Sequence, residues 1–264
     1  HFFSPVDKMP LVEIICGKET SDETLARSMD YVQAIRKTPI TVNDSRGFYT
    51  SRVFGTYVRE GLALLADGVK PALIENAGKM AGMPVGPLAL ADEVSMDLMN
   101  KIAVQTKADL GDAYRGQAGD DVLAAMVDKL DRVGKKAGRG FYDYPADGKK
   151  SLWPGLAENF PVADEQPDVD EVVKRLMFIQ SLETVRCVDE NVVTDNTEAD
   201  VGSIMGWGFS PARGGTLSQI DMVGVGTFVS ECDRLAQAYG ERFMPPQSLR
   251  DRAVKGEGFY GKAA

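Results

Sequence analysis

The chain of 264 residues holds a single histidine, His1. A carboxylate, Glu13, stands in the apolar run Leu11-Val12-Glu13-Ile14-Ile15-Cys16 that follows it. An imidazole paired with a carboxylate makes a general base, because the anion fixes the tautomer and raises the ring's basicity toward neutral pH. Two readings of each residue stand. If Glu13 follows strand alternation, it faces solvent. If it faces the core, it needs a donor or a charged partner, because burying a carboxylate alone costs far more than leaving it in water. A histidine at a chain end also reads as a frayed terminus or a tag remnant.

Two nucleotide-binding patterns are nearly present. Gly256-Glu-Gly-Phe-Tyr-Gly261-Lys262 has the spacing of a phosphate loop, but Ala263 stands where a Ser or Thr would hold magnesium. Gly224-Val-Gly226 opens like a dinucleotide fingerprint. It lacks the third glycine and the strand–turn–helix frame that would make it one. Both are rejected. Cys16, Cys187 and Cys232 are odd in number and widely spaced, and none has a histidine at metal-ligand spacing. They read as thiols of a reducing compartment, and no metal site is expected.

The elements that must position His1 and Glu13 come next. Leu11–Cys16 is a short apolar run ended by Gly17, which predicts a buried strand. Thr20-Ser-Asp-Glu23 has capping-box spacing, and Leu25, Met29, Val32 and Ile35 follow at helical spacing until Pro39. Ile40-Thr41-Val42 predicts a second strand and Asn43–Gly47 a turn. From Phe48 to Ala66 the pattern is helical, with Gly68 as its cap. Further helices are predicted at roughly 71–82, 93–109 and 121–132, so the strands are confined to the N-terminal third. Four prolines between Pro145 and Asp170 mark a domain boundary, while Leu152-Trp153-Pro154 and Leu156 predict that the segment lies against a surface.

The two sides of that boundary repeat each other. Glu60-Gly61, Glu75-Asn-Ala-Gly78 and Gly82–Pro87 match Glu183-Thr184, Glu198–Gly202 and Gly206–Pro211. The offset is 123 residues for Glu60/Glu183 and Glu75/Glu198, and 124 for Pro87/Pro211. Each half closes on one signature, Gly138-Arg-Gly-Phe-Tyr142 and Gly256-Glu-Gly-Phe-Tyr260. A near-constant offset over several features predicts two homologous helical domains in tandem.

Acidic residues outnumber basic ones, 39 to 30, for a net charge of −9. That disfavours nucleic acid and anionic membrane surfaces as partners. No apolar run approaches the ~18–20 residues of a membrane span, and no signal-peptide pattern opens the chain. His1 stands where an initiator Met would, so the chain is expected to be a piece of a longer protein.

His1-Phe-Phe-Ser-Pro5 with Met9-Pro-Leu-Val-Glu13-Ile-Ile resembles the catalytic-histidine segment of the 3-hydroxyacyl-CoA dehydrogenases. Lys37-Thr-Pro39, Val42, Asp44, Gly47-Phe48, Arg52 and Glu60-Gly61 resemble the next block of that family. Gly82–Pro87, Leu90, Asp92 and Gly138–Tyr142 extend the likeness over nearly the whole chain. The tandem repeat resembles the long multifunctional form of fatty-acid β-oxidation, in which the dehydrogenase follows an enoyl-CoA hydratase part.

The resemblance implies a fold that is mainly α, with two tandem helical domains of the dehydrogenase C-terminal type and the Rossmann domain absent. It divides the chain into 1–42, a short α/β remnant of the dinucleotide-binding domain; 43–145, a first helical domain; 146–168, a Pro-rich linker; and 169–264, a second helical domain. It implies oxidation of an L-3-hydroxyacyl-CoA to the 3-ketoacyl-CoA, with NAD, held mainly upstream, taking the hydride. His1 would remove the hydroxyl proton and Glu13 would hold the imidazole. Ser51 stands where the family usually has a substrate-contacting Asn, and Ser4 where it usually has an Asn near the nicotinamide. Gly86 and Pro87 would line the acyl pocket, although a helix-joining turn explains them as well.

Partners implied are the acyl-CoA substrate, the upstream Rossmann and hydratase domains, and a thiolase subunit. The implied compartment is the bacterial cytoplasm, or the mitochondrial or peroxisomal matrix in a eukaryote. Two alternatives stand beside the enzyme: a helical assembly and substrate-closure module without turnover of its own, and a diverged paralogue marked by Ser51 and Ser4. Glu60 is expected as an exposed or inter-helix polar contact and Trp207 as domain packing. The pairs Lys135-Lys136 and Lys149-Lys150 are solvated by default, with contact to CoA phosphates as the alternative.

Overall fold

A computed structural model describes residues 1–114 and 116–261. Lys262 and Ala263 of the rejected phosphate-loop pattern therefore lie outside the described residues. The strands β1 (Leu11–Cys16) and β2 (Thr38–Asn43) pair in parallel, Leu11 opposite Thr38 and Cys16 opposite Asn43. Parallel neighbours need a crossover, supplied here by α1 (Asp22–Ala34). The cap of α1 is Ser21, whose backbone is extended and whose hydroxyl accepts the Thr24 amide at 3.2 Å. The capping box expected at Thr20 is replaced by a simple cap one residue later, since the residue three after Ser21 is Thr24 and no carboxylate reaches back. Thr20 closes the preceding turn by accepting the Gly17 amide, and Glu23 pairs with Arg27.

The next helix, α2 (Thr50–Ala66), starts two residues later than the pattern predicts. Gly47 and Phe48 both have positive φ, 79° and 50°, which no helix accommodates. There follow α3 (Pro71–Met80), α4 (Pro87–Val94), α5 (Met96–Leu110) and α6 (Asp120–Ala124). α4 was hidden from the periodicity: it is short, and Pro87 at its first position reads as a turn residue. β3 (Tyr142–Asp143) and β4 (Ser151–Leu152) form an antiparallel hairpin, so strands are not confined to the N-terminal third. Two-residue strands carry no alternation to detect. The chain continues through α7 (Leu156–Asn159), α8 (Val169–Asp189), α9 (Asn196–Trp207), α10 (Thr216–Val223), α11 (Val225–Tyr239) and α12 (Gln247–Lys255). The fold is mostly helical with two small two-stranded sheets among the described residues.

The chain divides into two compact units. One combines His1–Thr56 with the chain from Met177 onward, and the other is Tyr57–Leu176. The proline-rich segment lies inside the second unit and is held there. Its Trp153 amide donates to the Phe141 carbonyl at 2.9 Å, the Arg132 guanidinium stacks 4.1 Å over the Trp153 ring, and the Ala163 amide donates to Gly68 at 2.9 Å.

Each unit contains the same arrangement of two carboxylates, buried in every case except the half-buried Asp221. In Tyr57–Leu176, Glu75 accepts the Leu88 amide at the start of α4 (2.8 Å) and the Tyr142 hydroxyl (2.7 Å). Asp92 there accepts the Phe141 and Tyr142 amides at 2.8 and 2.9 Å. In the other unit Asp200 accepts the Leu217 and Ser218 amides at the start of α10 and the Tyr260 hydroxyl at 2.8 Å. Asp221 accepts the Phe259 and Tyr260 amides at 2.9 and 3.0 Å. By this geometry the counterpart of Glu75 is Asp200 rather than Glu198, whose carboxylate instead accepts the Thr41 amide at 2.7 Å. Likewise Gly86-Pro87 corresponds to Gly215-Thr216 rather than to Pro211.

Candidate active site

The residues ahead of β1 fold back along it. Phe2 bridges Val12 in antiparallel sense, and the Glu13 amide donates to the His1 carbonyl at 3.1 Å. This brings the imidazole over the strand, where its Nδ1 lies 2.8 Å from Glu13 Oε2. The ring rests against Phe3 and Phe48, with centroids 4.6 and 5.6 Å away. A contact through Nδ1 leaves Nε2 as the ring nitrogen for another proton partner.

Glu13 is wholly buried. Leu11 and Val12 are buried too, so β1 is covered on both faces and alternation does not decide where Glu13 points. The solvent-facing reading is overturned. The donors it requires come from the first residues of α2 and the turn before them. Oε1 accepts the Tyr49 amide (2.9 Å) and the Thr50 amide (3.0 Å), while Oε2 accepts the Thr50 hydroxyl (2.8 Å) as well as His1. Amides at a helix start lack intrahelical acceptors and carry the positive end of the helix dipole. Burial raises the Glu13 carboxyl above the ordinary carboxylate range, and the bonds from Thr50 and Tyr49 pull it back down.

Tyr49 is itself locked by its hydroxyl, which donates to the Ala199 carbonyl at 2.8 Å. Trp207 meets the Tyr49 ring edge-on and donates Nε1 to Gln180 at 2.9 Å, a packing role. A cleft of about 630 Å³ beside β1 is lined by His1, Phe2, Glu13, Arg27 and Tyr31 among others, and it opens the imidazole to the outside. Among the described residues no cluster of His, Cys, Asp and Glu is placed to hold a metal ion.

The remaining sequence candidates fall in several places. Ser4 is exposed, and Ser51 is exposed on the first turn of α2 next to Thr50. Gly86 and Pro87 belong to the other unit, both buried at the start of α4. Gly86 has an ordinary φ of −69°, so its need for glycine is steric: a Cβ there would meet the Glu75 carboxylate at 2.5 Å. Of the two placements expected for Glu60, the inter-helix contact holds, from α2 to α8, and the exposed one does not. Glu60 is buried and bonded to Arg175 Nε at 2.6 Å, with Arg175 Nη2 also 2.8 Å from Asp67. Lys135 pairs with Glu93, and Lys150 Nζ stands 4.7 Å over the Tyr142 ring.

Sequence reasoning missed Tyr49 and Thr50 as partners of Glu13. The available signal was the Gly47 turn opening a helix, because a buried carboxylate needs donors and a helix start offers them.

Residues 47–144 match the family model described as 3-hydroxyacyl-CoA dehydrogenase, C-terminal domain. Residues 1–45 match 3-hydroxyacyl-CoA dehydrogenase, NAD binding domain. In fold, the chain is similar to 3-hydroxybutyryl-CoA dehydrogenase from Escherichia coli K12, with TM-score 0.77 at 20% identity, covering 97% of this chain and 70% of that one. It is also similar to the dehydrogenase part of multifunctional enzyme 1 from C. elegans, with TM-score 0.70 at 22% identity, covering 95% of this chain and 58% of that one.

Proposed function

Because the chain belongs to the 3-hydroxyacyl-CoA dehydrogenase family, we propose that it is the C-terminal portion of an NAD-dependent L-3-hydroxyacyl-CoA dehydrogenase of fatty-acid β-oxidation. On this reading the parent is a hydratase/dehydrogenase multifunctional protein. Residues 1–42 end its dinucleotide-binding domain, and two homologous helical domains follow. The repeated carboxylate arrangement supports the tandem reading, and the His1–Glu13 pair at 2.8 Å carries the functional one.

The fit to NAD is partial. β1–α1–β2 is a parallel unit of the kind that builds dinucleotide folds, but the first turn of α1 holds Asp22 and Glu23, which repel the phosphates such a helix start would bind. The dinucleotide's phosphates therefore belong to other residues of the parent protein, and only His1 and Ser4 are offered to the nicotinamide end. NAD, when bound, supplies the hydride acceptor. The work of this chain is proton handling. Nε2 of His1 takes the proton of the substrate hydroxyl, and Glu13 stabilises the imidazolium through Nδ1 as that charge develops. The ring is held by Phe3 and Phe48, and the carboxylate by α2, so little reorganisation accompanies the transfer.

Ser51 and Ser4 favour a second reading, a diverged paralogue with altered activity. Restoring Asn at position 51 in a protein extended upstream separates the two: a large gain in rate supports divergence, and no gain supports Ser51 as adapted. The primary reading is tested by acetoacetyl-CoA-dependent NADH oxidation, comparing this chain with a version extended upstream by ~200 residues, about one dinucleotide-binding domain. Activity confined to the extended version supports it; a folded extended protein without activity overturns it.

A further inference from the structure

Building on the reading of His1 as a proton acceptor, we propose that Thr50 is a positioning residue that sets, through Glu13, the pH at which His1 holds its proton. Two donors share one carboxylate oxygen: His1 Nδ1 and the Thr50 hydroxyl each lie 2.8 Å from Glu13 Oε2. The other oxygen is filled by the Tyr49 and Thr50 amides. Those amides are backbone and remain in any variant. The hydroxyl is the donor that a side-chain change removes. Thr50 and Glu13 are both buried, at 1% and 0% exposure, so solvent has no ready access to take its place.

The hydroxyl bond is worth most when Glu13 carries its full charge beside a neutral imidazole. It is worth less once a proton is shared between the two. Loss of the hydroxyl therefore destabilises the fully deprotonated pair more than the singly protonated pair. The upper of the two titrations of the pair must rise, whichever residue nominally carries the proton.

The other charged and titratable groups around the pair are the His1 α-amine, Arg27 and Tyr31 of α1, Tyr49 ahead of α2, Arg52 of α2, Glu198 of α9 and Cys187 of α8. Burial pushes the Tyr49 phenol up, and its hydroxyl is bonded to the Ala199 carbonyl. Arg27 is paired with Glu23, Arg52 with Glu183 and Glu190, and Glu198 accepts the Thr41 amide. Burial pushes the Cys187 thiol up to about 12, so it stays neutral. None of these bonds involves the Thr50 hydroxyl, so a change at that hydroxyl leaves them in place.

His1 is the only histidine, so its ring signals titrate by NMR without overlap from another imidazole. In the 264-residue chain, Thr50→Val is expected to raise the upper titration by about half a unit or more, and Thr50→Ser, which keeps the hydroxyl, to leave it near the parent value. Thr50→Ala is a second hydroxyl-free variant and is expected to move with Val. An unchanged or lowered titration in the folded Val or Ala variant overturns the proposal, as does a Ser variant that shifts as far as Val. A purely structural Thr50 would lower the urea midpoint without moving the titration. The titration needs no turnover: a shift with no dehydrogenase activity in the extended protein overturns the functional reading alone, and activity with no shift overturns Thr50 alone.

Discussion

Tyr142 donates its hydroxyl to the buried Glu75 carboxylate at 2.7 Å, and the same carboxylate caps α4 through the Leu88 amide. Glu75 thereby ties the Gly138–Tyr142 signature to a helix start more than fifty residues earlier in the chain. Tyr260 and Asp200 repeat the arrangement in the other unit, but there the tyrosine is half-exposed, 49% against 8% for Tyr142. Removing the hydroxyl from Tyr142 leaves a buried carboxylate short of one donor, at a cost of about 1–3 kcal/mol. Tyr142→Phe is expected to lower the urea midpoint of unfolding clearly, and Tyr260→Phe to lower it less because water replaces the lost bond. Equal losses would contradict this ranking.

Gly86→Ala tests the same carboxylate from the other side. The added Cβ would fall 2.5 Å from the Glu75 carboxylate, so either α4 or Glu75 must shift. The expected loss is about 1–3 kcal/mol, as for other overpacked interiors. Thermal unfolding that leaves the melting temperature unchanged would show that this approach is looser than described.

Glu60 and Arg175 form a buried ion pair at 2.6 Å, with both side chains almost fully sequestered. Glu60→Gln removes the buried charge facing the guanidinium and leaves only the half-exposed Asp67 carboxylate, 2.8 Å from Nη2, to compensate it. The expected cost is about 3 kcal/mol. Replacing both residues by apolar side chains of similar volume should recover much of that loss. The double variant being worse than Glu60→Gln, measured by urea unfolding, would contradict the account.

Burial pushes Asp92 up to about 6, against the opposing bonds from the Phe141 and Tyr142 amides and the Tyr144 hydroxyl, with the Glu75 charge adding to the rise. Its folded pKa thus lies above the ordinary 3.8, and the folded state holds the proton more tightly than the unfolded one. The stability gained from this group is complete below about 3.8 and is lost as pH rises to about 6. Asp92→Asn does not titrate there, so the parent's stability relative to that variant should decline from pH 4 to pH 6. Urea midpoints at intervals across that range provide the check, and an increase would reverse the sign.

Much of this architecture was legible where a pattern had length. The βαβ segment, the long helices near α2 and α5 and the existence of a repeat all follow from runs of periodic residues or recurring motifs. What escaped was short or depended on tertiary donors. α4 and the β3–β4 hairpin are too brief for a period to register. The repeat was recognised through Glu75 and Glu198, yet the residue doing the work of Glu75 is Asp200, because equivalence lies in the amides a carboxylate meets rather than in its spacing. At the site, the single histidine and a carboxylate within an apolar run were visible, whereas Thr50 was not: nothing in its neighbourhood marks a hydroxyl that will reach a strand 37 residues earlier.

On the function proposed above, His1, held by Glu13, moves the substrate proton. The most direct test is NADH oxidation with acetoacetyl-CoA in the upstream-extended protein, comparing the parent with His1→Gln and Glu13→Gln after each is shown to be folded. Activity is expected in the parent, with a fall of about 10²–10⁴ on losing the His1 ring and a substantial fall on neutralising Glu13. Full activity retained by a folded His1→Gln protein would contradict it.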